Sequence, residues 1–378
     1  MRAKLLFVLL FSFIAPVLAT AEGRLLVEET FLSVDIKGER YLLEALVAKE
    51  AGGGRRPVAI ITHGQAHEAE RRERVAARSY LRTAREFARR GWLAVVVVRR
   101  GFGRSEGKQP YVLRGCRNGD YATLDDQADD LEAAIQAIGR RSDADVGQMV
   151  ALGVSVGGAT VLNLAARNPA GLRAVVNVSG GLRIVPREGG PPVTCKPEDL
   201  VPVFARMGER SGIPSLWLYA ENDSFFPGDY ARQLHEAYVV KGGRAEFHMF
   251  EPIGEDGHNM FGHFDGMLRW IPALDRFLRG HKLPTYDAAA IAAALKGLNL
   301  PASMRSVLTR FEGRPTEKAL AVSRSNKTGY SQFGSADLAE AEAKARAACE
   351  ERAKEPCRIV LRNFEVVKEA LEPAPNAQ

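Results

Sequence analysis

The sequence predicts an α/β protein, in which helices cover both faces of a mostly parallel sheet, followed by a small α+β module. Two observations lead to this prediction. Short continuous apolar runs, typical of strands buried on both faces, alternate with longer amphipathic segments between residues 58 and 278. That alternation ends near Arg279, and a different pattern begins after Pro301. Because strands alternate with helices, we expect the ligand to lie beyond the carboxyl ends of the strands.

Each element of the large sheet can be assigned from its hydrophobic pattern. Two alternating segments, Leu25–Ile36 and Tyr41–Ala48, are predicted to be strands joined by a turn at residues 37–38. Six apolar runs predict buried strands at Val58–Ile61, Leu93–Val98, Met149–Leu152, Ala174–Val178, Ser215–Tyr219 and Ala245–Phe250. Helical periodicity predicts helices at Val75–Arg90, Thr123–Ile138, Ala159–Arg167, Tyr230–Val240 and Phe264–Leu278.

The chain of 378 residues is long enough for one large domain and one small one. We predict a signal peptide over residues 1–21 and a large domain over residues 22–283. A connector over residues 284–300 leads to a small α+β module over residues 301–370, and a disordered tail follows over residues 371–378. In the module, the pattern predicts a strand at Ala319–Ser323 and a turn at Asn326–Gly329. A helix at Ala336–Arg352 and a second strand at Arg358–Arg362 are predicted to follow.

The first 21 residues have the pattern of a secretory signal peptide. Arg2 and Lys4 precede an apolar run from Leu5 to Leu18, and Ala19 and Ala21 are the small residues that a signal peptidase recognises. The alternative is a membrane anchor, but the run is shorter than the roughly 20 apolar residues that span a bilayer. We therefore expect a periplasmic or secreted protein with no membrane span after removal of the signal peptide.

Composition argues against a nucleic-acid partner. The hydrophobic content of 46% and the charged content of 26% are ordinary for a globular protein. The net charge of +6 is modest, and the Lys and Arg residues are spread along the chain. Because phosphate binding along a nucleic acid needs a concentrated basic face, we do not expect such binding.

The four cysteines are expected to form disulfides. An even number of cysteines in an exported chain favours pairing, and four cysteines allow three connectivities. Cys349 and Cys357 are close in sequence within the predicted module, which leaves Cys116 with Cys195. No cluster of His, Cys or carboxylate residues has the spacing of metal ligands, so we expect neither a metal ion nor a cofactor.

The motif Gly153-Val154-Ser155-Val156-Gly157 is the strongest indication of chemistry. Alone it is weak, because glycine and serine are common. Here it directly follows the predicted strand Met149–Leu152 and precedes the helix predicted from Ala159, which is the strand–turn–helix setting of a nucleophile elbow. The strained turn requires small neighbours, which explains Gly153 and Gly157. The alternative is a tight turn that contains an incidental serine.

A serine nucleophile needs a histidine base oriented by a carboxylate, and after an elbow the order is Ser, acid, His. Asp223 follows the predicted strand Ser215–Tyr219, and His258 follows the predicted strand Ala245–Phe250. Both are therefore expected at the same sheet edge as Ser155. The weaker candidates are Glu221 and Asp229 for the acid and His263 for the base; His63, His235, His248 and His281 are expected to be structural or surface residues.

An oxyanion hole needs two backbone N–H groups beside the nucleophile. One is expected from Val156, the residue after Ser155. The other is expected from a loop after an early strand, where Thr62-His63-Gly64-Gln65 offers the N–H of Gln65.

Together these segments resemble the α/β-hydrolase superfamily, in particular its dienelactone-hydrolase-like and prolyl-oligopeptidase-like serine hydrolases. The resemblance covers about residues 25–280 and depends on the segments 63–65, 100–107, 153–157, 219–223 and 257–258. It implies the α/β-hydrolase fold and hydrolysis by a triad of Ser155, His258 and Asp223. Dienelactone hydrolases use a cysteine nucleophile, so Ser155 departs from their pattern. Prolyl oligopeptidases carry a propeller domain, for which this chain has no room.

The C-terminal module resembles a small unit at the end of some exported bacterial proteins, on the basis of residues 319–323, the Ala-rich helix with Cys349, and Cys357-Arg358. No activity follows from that resemblance. We expect a structural or interaction unit that binds an unknown partner, covers the active site or stabilises the large domain. We also hypothesise that a Cys116–Cys195 bridge ties two loops together above Ser155.

The function predicted from the sequence is hydrolysis of a carboxylic ester through an acyl-enzyme. The substrate would be a small-molecule ester or a short peptide. Two alternatives stay open: a peptidase or amidase with the same triad, and a non-catalytic binding protein with a hydrolase fold.

Overall fold

The computed structural model of the chain describes residues 24–65, 69–108, 122–182, 197–297, 304, 311 and 313–367. The predicted signal peptide, the predicted tail, Cys116 and Cys195 lie outside the described residues, and the predicted domain boundaries stay predictions. Within the described part of the chain, no helix is long and apolar enough to cross a bilayer.

The large sheet has eight strands. They are β1 (Leu25–Ile36), β2 (Glu39–Glu50), β3 (Arg56–Thr62), β4 (Leu93–Val97), β5 (Ala144–Val154), β6 (Leu172–Val178), β7 (Ser215–Ala220) and β8 (Ala245–Phe250). Their spatial order is β1-β2-β4-β3-β5-β6-β7-β8. The pairs β1–β2 and β2–β4 are antiparallel, whereas all neighbours from β4 to β8 are parallel. The predicted mostly parallel sheet is therefore confirmed.

Helices cover both faces of this sheet. They are α1 (Ala69–Glu73), α2 (Leu81–Ala88), α3 (Ala122–Gly139), α4 (Val156–Ala165), α5 (Pro197–Arg210), α6 (Gly228–Val240), α7 (Phe264–Gly280) and α8 (Ala288–Gly297). One hydrophobic core packs α3, α4, α5 and α6 against the sheet and includes Phe204 and Trp217. A second core packs α2 and α7 against the opposite face and includes Trp92 and Trp270. The central strands are thus buried on both sides, as their continuous apolar runs predict.

Two segments differ from the predicted secondary structure. The helix predicted over Val75–Arg90 begins later, because Ala76 is extended (φ −134°, ψ 142°); a 3-10 turn at Ala77–Tyr80 then leads into α2. Helix α5 lies in a segment for which the sequence predicted no helix. Its buried residues follow helical spacing at positions 200, 203, 204 and 207, so the pattern was present, although Pro202 inside the same segment argues against a helix.

The C-terminal unit, residues 313–367, forms a separate antiparallel sheet with one helix. Its strands are β9 (Ala319–Ser323), β10 (Gly329–Gln332), β11 (Cys357–Arg362) and β12 (Glu365–Val366), in the order β10-β9-β11-β12. Helix α9 (Leu338–Ala353) is capped by the Asp337 side chain, which accepts from Glu340 N. A disulfide joins Cys349 in α9 to Cys357 at the start of β11. The small α+β unit is therefore confirmed, whereas β10 and β12 were not predicted.

The C-terminal unit packs against the large domain through buried charges. Arg89, directly after α2, donates to Glu317 from Nε and Nη2 at 3.0 Å and to Glu50 from Nη1 at 3.1 Å. The side chains of Arg89 and Glu317 are only 4% and 2% exposed. This contact therefore joins the two units through a desolvated ion pair.

A second set of contacts extends this region. Arg90 donates to Glu86 at 2.8 Å and to the two carboxylate oxygens of Asp275 at 2.5 and 2.9 Å. Glu86 Oε1 in turn accepts from Thr316 N at 2.6 Å and Thr316 Oγ1 at 2.9 Å. The side chains of Glu86, Arg90 and Asp275 are at most 3% exposed. We call this cluster the ionic interface; it consists of Glu86, Arg89, Arg90, Asp275, Thr316 and Glu317.

Candidate active site

Ser155 lies in a sharp turn between β5 and α4. Its backbone has φ 56° and ψ −125°, a conformation that non-glycine residues rarely adopt and that often marks a functional site. A Cβ on Gly153 would lie 1.9 Å from the carbonyl oxygen of Gly157, and a Cβ on Gly157 would lie 2.3 Å from that of His63. The two glycines of the motif are therefore required by close backbone approach on both sides of the serine.

His258 lies between Ser155 and Asp223. Its Nε2 is 3.1 Å from Ser155 Oγ, and its Nδ1 is 3.0 and 3.2 Å from the two oxygens of Asp223. The Asp223 side chain is fully buried, and the His258 side chain is 13% exposed. Because a carboxylate only accepts hydrogen bonds, Nδ1 carries the proton and Nε2 is left to accept from the serine hydroxyl. The structure thus brings the three predicted residues together in hydrogen-bonding order.

Backbone groups hold the Asp223 carboxylate in place. Its Oδ1 accepts from Phe225 N and Phe226 N, both at 2.9 Å. The Phe225 ring also packs on the His258 imidazole, with ring centroids 4.4 Å apart. These contacts fix both the carboxylate and the plane of the histidine ring that it contacts.

Asp256 is a site residue that the sequence analysis did not single out. It caps the 3-10 turn Gly257–Asn259, where its Oδ1 accepts from His258 N at 2.9 Å. The same carboxylate accepts from Ser224 N at 3.0 Å and Ser224 Oγ at 2.7 Å. Burial alone would raise the pKa of Asp256, but these hydrogen bonds outweigh it and lower the pKa. An Asp two residues before the candidate histidine is a typical cap position, and that pattern could have revealed it.

Both predicted oxyanion donors belong to segments that adjoin Ser155. Gly64 lies against the serine, because a Cβ built on it would be 3.1 Å from Ser155 Cβ, and Gln65 is the next residue. Val156 is the first residue of α4. Its N–H is among those at a helix start that have no acceptor within the helix.

The weaker candidates have other environments. Glu221 is exposed and pairs with Arg232, and Asp229 is exposed in the first turn of α6. His263 is the exposed N-cap residue of α7, with Nδ1 3.9 Å from Asp265. The remaining histidines include His248 in β8, which contacts Glu246 at 2.6 Å. The structure places neither the three weaker candidates nor His248 in the hydrogen-bonded series from Ser155 to Asp223.

A cleft of about 610 Å³ lies elsewhere, between α7 and the C-terminal unit. It is lined by arginines, among them Arg269, Arg276 and Arg314, and Ser155 is not part of its lining. The candidate active site is instead at Ser155, where the hydrogen bonds that join Ser155 to His258 and His258 to Asp223 are formed. Among the described residues, no group of three or more His, Cys, Asp or Glu side chains is placed to hold a metal ion.

Comparison with known proteins agrees with the fold. Residues 55–207 match the family described as serine aminopeptidase, S33. An acylaminoacyl peptidase from Pyrococcus horikoshii is 18% identical, with a TM-score of 0.50 over 69% of this chain and 43% of that chain. A protein described as a dienelactone hydrolase, from Klebsiella pneumoniae, is 20% identical, with a TM-score of 0.43 over 66% of this chain and 98% of that chain.

A third solved structure, Est1E from Butyrivibrio proteoclasticus, is 16% identical, with a TM-score of 0.47 over 66% of this chain and 98% of that chain. No curated protein matches the sequence. The order of the large sheet, the family match and the likeness to the acylaminoacyl peptidase show that the chain has the α/β-hydrolase fold. The predicted resemblance to the α/β-hydrolase superfamily is therefore confirmed.

Proposed function

We propose that the protein is an exported serine hydrolase that cleaves a carboxylic ester through an acyl-enzyme. The observation that supports this best is the series of contacts from Ser155 Oγ to His258 Nε2 at 3.1 Å and from His258 Nδ1 to Asp223 at 3.0 Å. A base within hydrogen-bonding distance of a serine, oriented by a third group, is how serine nucleophiles are activated. The family match and the esterase and peptidase neighbours support hydrolysis.

In the first half of the reaction, Ser155 Oγ attacks the carbonyl carbon while its proton passes to His258 Nε2. Asp223 accepts from His258 Nδ1 and stabilises the imidazolium ion that forms. The negative charge that develops on the carbonyl oxygen is stabilised by the N–H groups of Gln65 and Val156. The carbon–oxygen bond to the alcohol then breaks, and His258 returns the proton to the departing alcohol oxygen.

In the second half, water replaces the alcohol. His258 takes a proton from the water, whose oxygen attacks the acyl carbon bound to Ser155 Oγ. The acid is released as the proton returns to Ser155. Each step uses one proton transfer through the same nitrogen, Nε2, which explains why the Nδ1 contact with Asp223 must fix the tautomer.

A peptidase or amidase is the second candidate function. The matching family is described as a serine aminopeptidase, and the neighbour with a TM-score of 0.50 is an acylaminoacyl peptidase. The same residues would act on an amide, with an amine in place of the alcohol. Cleavage of a series of amino-acid p-nitroanilides, compared with p-nitrophenyl esters, separates the two candidates.

Export is proposed from the N-terminal sequence and from the disulfide between Cys349 and Cys357, since disulfides persist mainly in oxidising compartments. Cell fractionation with N-terminal sequencing tests this proposal. A mature protein that begins near residue 22 is expected, and an uncleaved chain in the cytoplasm contradicts export.

Hydrolysis of p-nitrophenyl acetate and butyrate by the wild type and by Ser155→Ala tests the proposed chemistry. We expect the variant to lose activity by at least about 10³-fold while keeping its melting temperature, because the hydroxyl is the nucleophile. Labelling by a fluorophosphonate probe should disappear in the same variant. Equal turnover by both proteins would exclude Ser155 as the nucleophile.

A further inference from the structure

A buried arginine lies beneath the loop that carries Gln65. Arg99 follows β4 by two residues, and its side chain is inaccessible to solvent. Its Nη1 donates to the carbonyl oxygen of His63 and to Thr62 Oγ1, both at 2.7 Å, and its Nη2 donates to the carbonyl oxygen of Gly64 at 3.2 Å. One guanidinium therefore binds three consecutive residues that end next to Gln65.

The His63 ring forms a second contact to the same loop. The backbone N–H of Arg99 donates to His63 Nε2 at 3.0 Å, so the ring proton is on Nδ1, which donates to the Gly64 carbonyl oxygen at 2.7 Å. Burial, together with the charge of Arg99, holds the pKa of His63 well below its ordinary value. The ring is thus neutral, and the Gly64 carbonyl accepts two hydrogen bonds from the protein interior.

These contacts determine where the Gln65 N–H points. In a trans peptide, the C=O and the N–H of one peptide plane point in opposite directions, and the described chain has no cis peptide bond. The Gly64–Gln65 peptide directs its C=O toward Arg99 and His63. Its N–H is therefore directed away from both side chains, at a loop position that adjoins Ser155.

We propose that Arg99 is a positioning residue for the oxyanion hole, which fixes the Gly64–Gln65 peptide so that its N–H faces the reacting carbonyl oxygen. This inference rests on the proposed function, because it needs an oxyanion at Ser155. A donor that is fixed before the reaction requires no reorientation in the transition state, and loss of one such donor typically lowers kcat by about 10²–10³-fold. Without the guanidinium, the peptide could rotate and the donor would be lost for part of the time.

The neighbouring Arg100 provides a matched control. It is also buried, but its Nε donates to Asp130 at 2.6 Å and its guanidinium packs over the Tyr41 ring. Neither Asp130 nor Tyr41 belongs to the 62–64 segment that Arg99 binds. Substitution of Arg100 therefore reproduces the loss of a buried arginine without releasing the oxyanion loop.

The test compares the wild type with Arg99→Met, Arg99→Lys and Arg100→Lys. Steady-state kinetics on p-nitrophenyl butyrate give kcat and KM, and a trifluoromethyl ketone inhibitor, whose adduct with the serine carries an oxyanion, gives Ki. For Arg99→Met we expect kcat to fall by about 10–10³-fold with KM within twofold, and Ki to rise by the same factor as kcat/KM falls. Arg99→Lys should show a smaller fall in kcat and a smaller rise in Ki than Arg99→Met, because an ammonium group donates hydrogen bonds but lacks the planar fork of a guanidinium.

Arg99→Lys is the variant on which the conclusion depends if Arg99→Met does not fold. The proposal is overturned if the folded Arg99 variants keep kcat/KM and Ki within twofold of the wild type. It is also overturned if Arg100→Lys, at an equal loss of melting temperature, lowers kcat and raises Ki to the same extent. If the wild type neither hydrolyses esters or amides nor reacts with a fluorophosphonate, the proposed function itself is overturned. If the wild type does both, the Arg99 variants test the role of Arg99 alone.

Discussion

The active-site edge of the large sheet and the ionic interface are both polar, but they are stabilised differently. At the active-site edge, backbone N–H groups of loops hold a carboxylate, Asp223, whose partner His258 is partly exposed. At the ionic interface, full charges pair with each other away from water. Burial alone would lower the pKa of Arg90, yet the charges of Asp275 and Glu86 outweigh it and hold that pKa above its ordinary value.

This difference predicts that the two regions have different roles. A hydrogen bond in the active site sets a tautomer or a direction, so its loss should lower the rate with little effect on folding. A buried ion pair at the interface holds two units together, so its loss should lower the free energy of unfolding with little effect on the rate. Substitutions in each region, measured with both readouts, can test this separation.

The largest effect is expected from Asp223→Asn. The amide can still accept from Phe225 N and Phe226 N, so we expect the fold to be kept. It would favour the wrong histidine tautomer and lower kcat by about 10⁴-fold. Steady-state ester hydrolysis and thermal unfolding measure the two effects. Asp229→Asn, an exposed change in α6, is the control, and a loss of less than tenfold in Asp223→Asn would reject its orienting role.

At the ionic interface, Arg89→Met should leave Glu317 buried without its main cation. We expect the free energy of unfolding to fall by about 3–5 kcal/mol, with kcat of the folded protein unchanged. The double variant Arg89→Met/Glu317→Met should recover part of this stability, because Glu317 no longer leaves a buried carboxylate without its cation. Urea unfolding of all three proteins gives the values.

The exposed pair Arg232–Glu221 is the matched control for that prediction, since its side chains are 50% and 45% exposed. Arg232→Met should change the free energy of unfolding by less than about 1 kcal/mol. If Arg89→Met lowered the free energy of unfolding no more than Arg232→Met does, the interface would contribute little to holding the units together.

The disulfide should have an intermediate effect. Cys349 and Cys357 are eight residues apart, and a closed loop of that length contributes roughly 2.5 kcal/mol in the chain-entropy account. The double variant Cys349→Ala/Cys357→Ala should lower the free energy of unfolding by about that amount, measured as a lower urea midpoint, while kcat is unchanged. The prediction fails if this variant loses ester hydrolysis at low urea concentration, where the protein is still folded.

The smallest effect concerns acid stability. The pKa of Asp256 is lowered in the folded protein, so its hydrogen bonds stabilise the fold at pH values above about 3.8, and this contribution is lost as the pH falls through the lowered value. The wild type should therefore be slightly more stable than Asp256→Asn at pH 7, and the difference should shrink as the pH falls below 3.8 and through the lowered pKa of Asp256. A difference that grows with acidity would contradict the sign of the pKa shift.

Much of the candidate site could be predicted from sequence because each residue lies in the connection that follows a strand. Ser155, Asp223 and His258 come after β5, β7 and β8, and parallel strands bring their carboxyl ends to one edge. Local hydrophobic pattern was therefore sufficient to place three residues that are far apart in the chain. The sheet places their loops at one edge, and hydrogen bonds within those loops set the final positions of Asp223 and His258.

Residues whose role depends on tertiary contacts were not predicted. The segment around Glu86, Arg89 and Arg90 alternates Arg with Glu and resembles a solvated helix, yet the C-terminal unit buries it. Arg99 likewise has no motif of its own. Its acceptors are the Thr62 hydroxyl and the backbone oxygens of His63 and Gly64, which the pairing of β3 with β4 brings near. Short-range periodicity contains no information on either contact.

The ionic interface has a consequence for protein engineering. A recombinant fragment that ends at residue 283 would keep all eight strands of the large sheet and the three proposed triad residues. It would also lose Thr316, Glu317 and the Phe364 ring that packs under the Arg90 guanidinium, and would expose the charged side of α2 to water. We expect such a fragment to be less stable than the full chain, because these contacts are lost, so engineering of this protein should begin from a chain that retains the C-terminal unit.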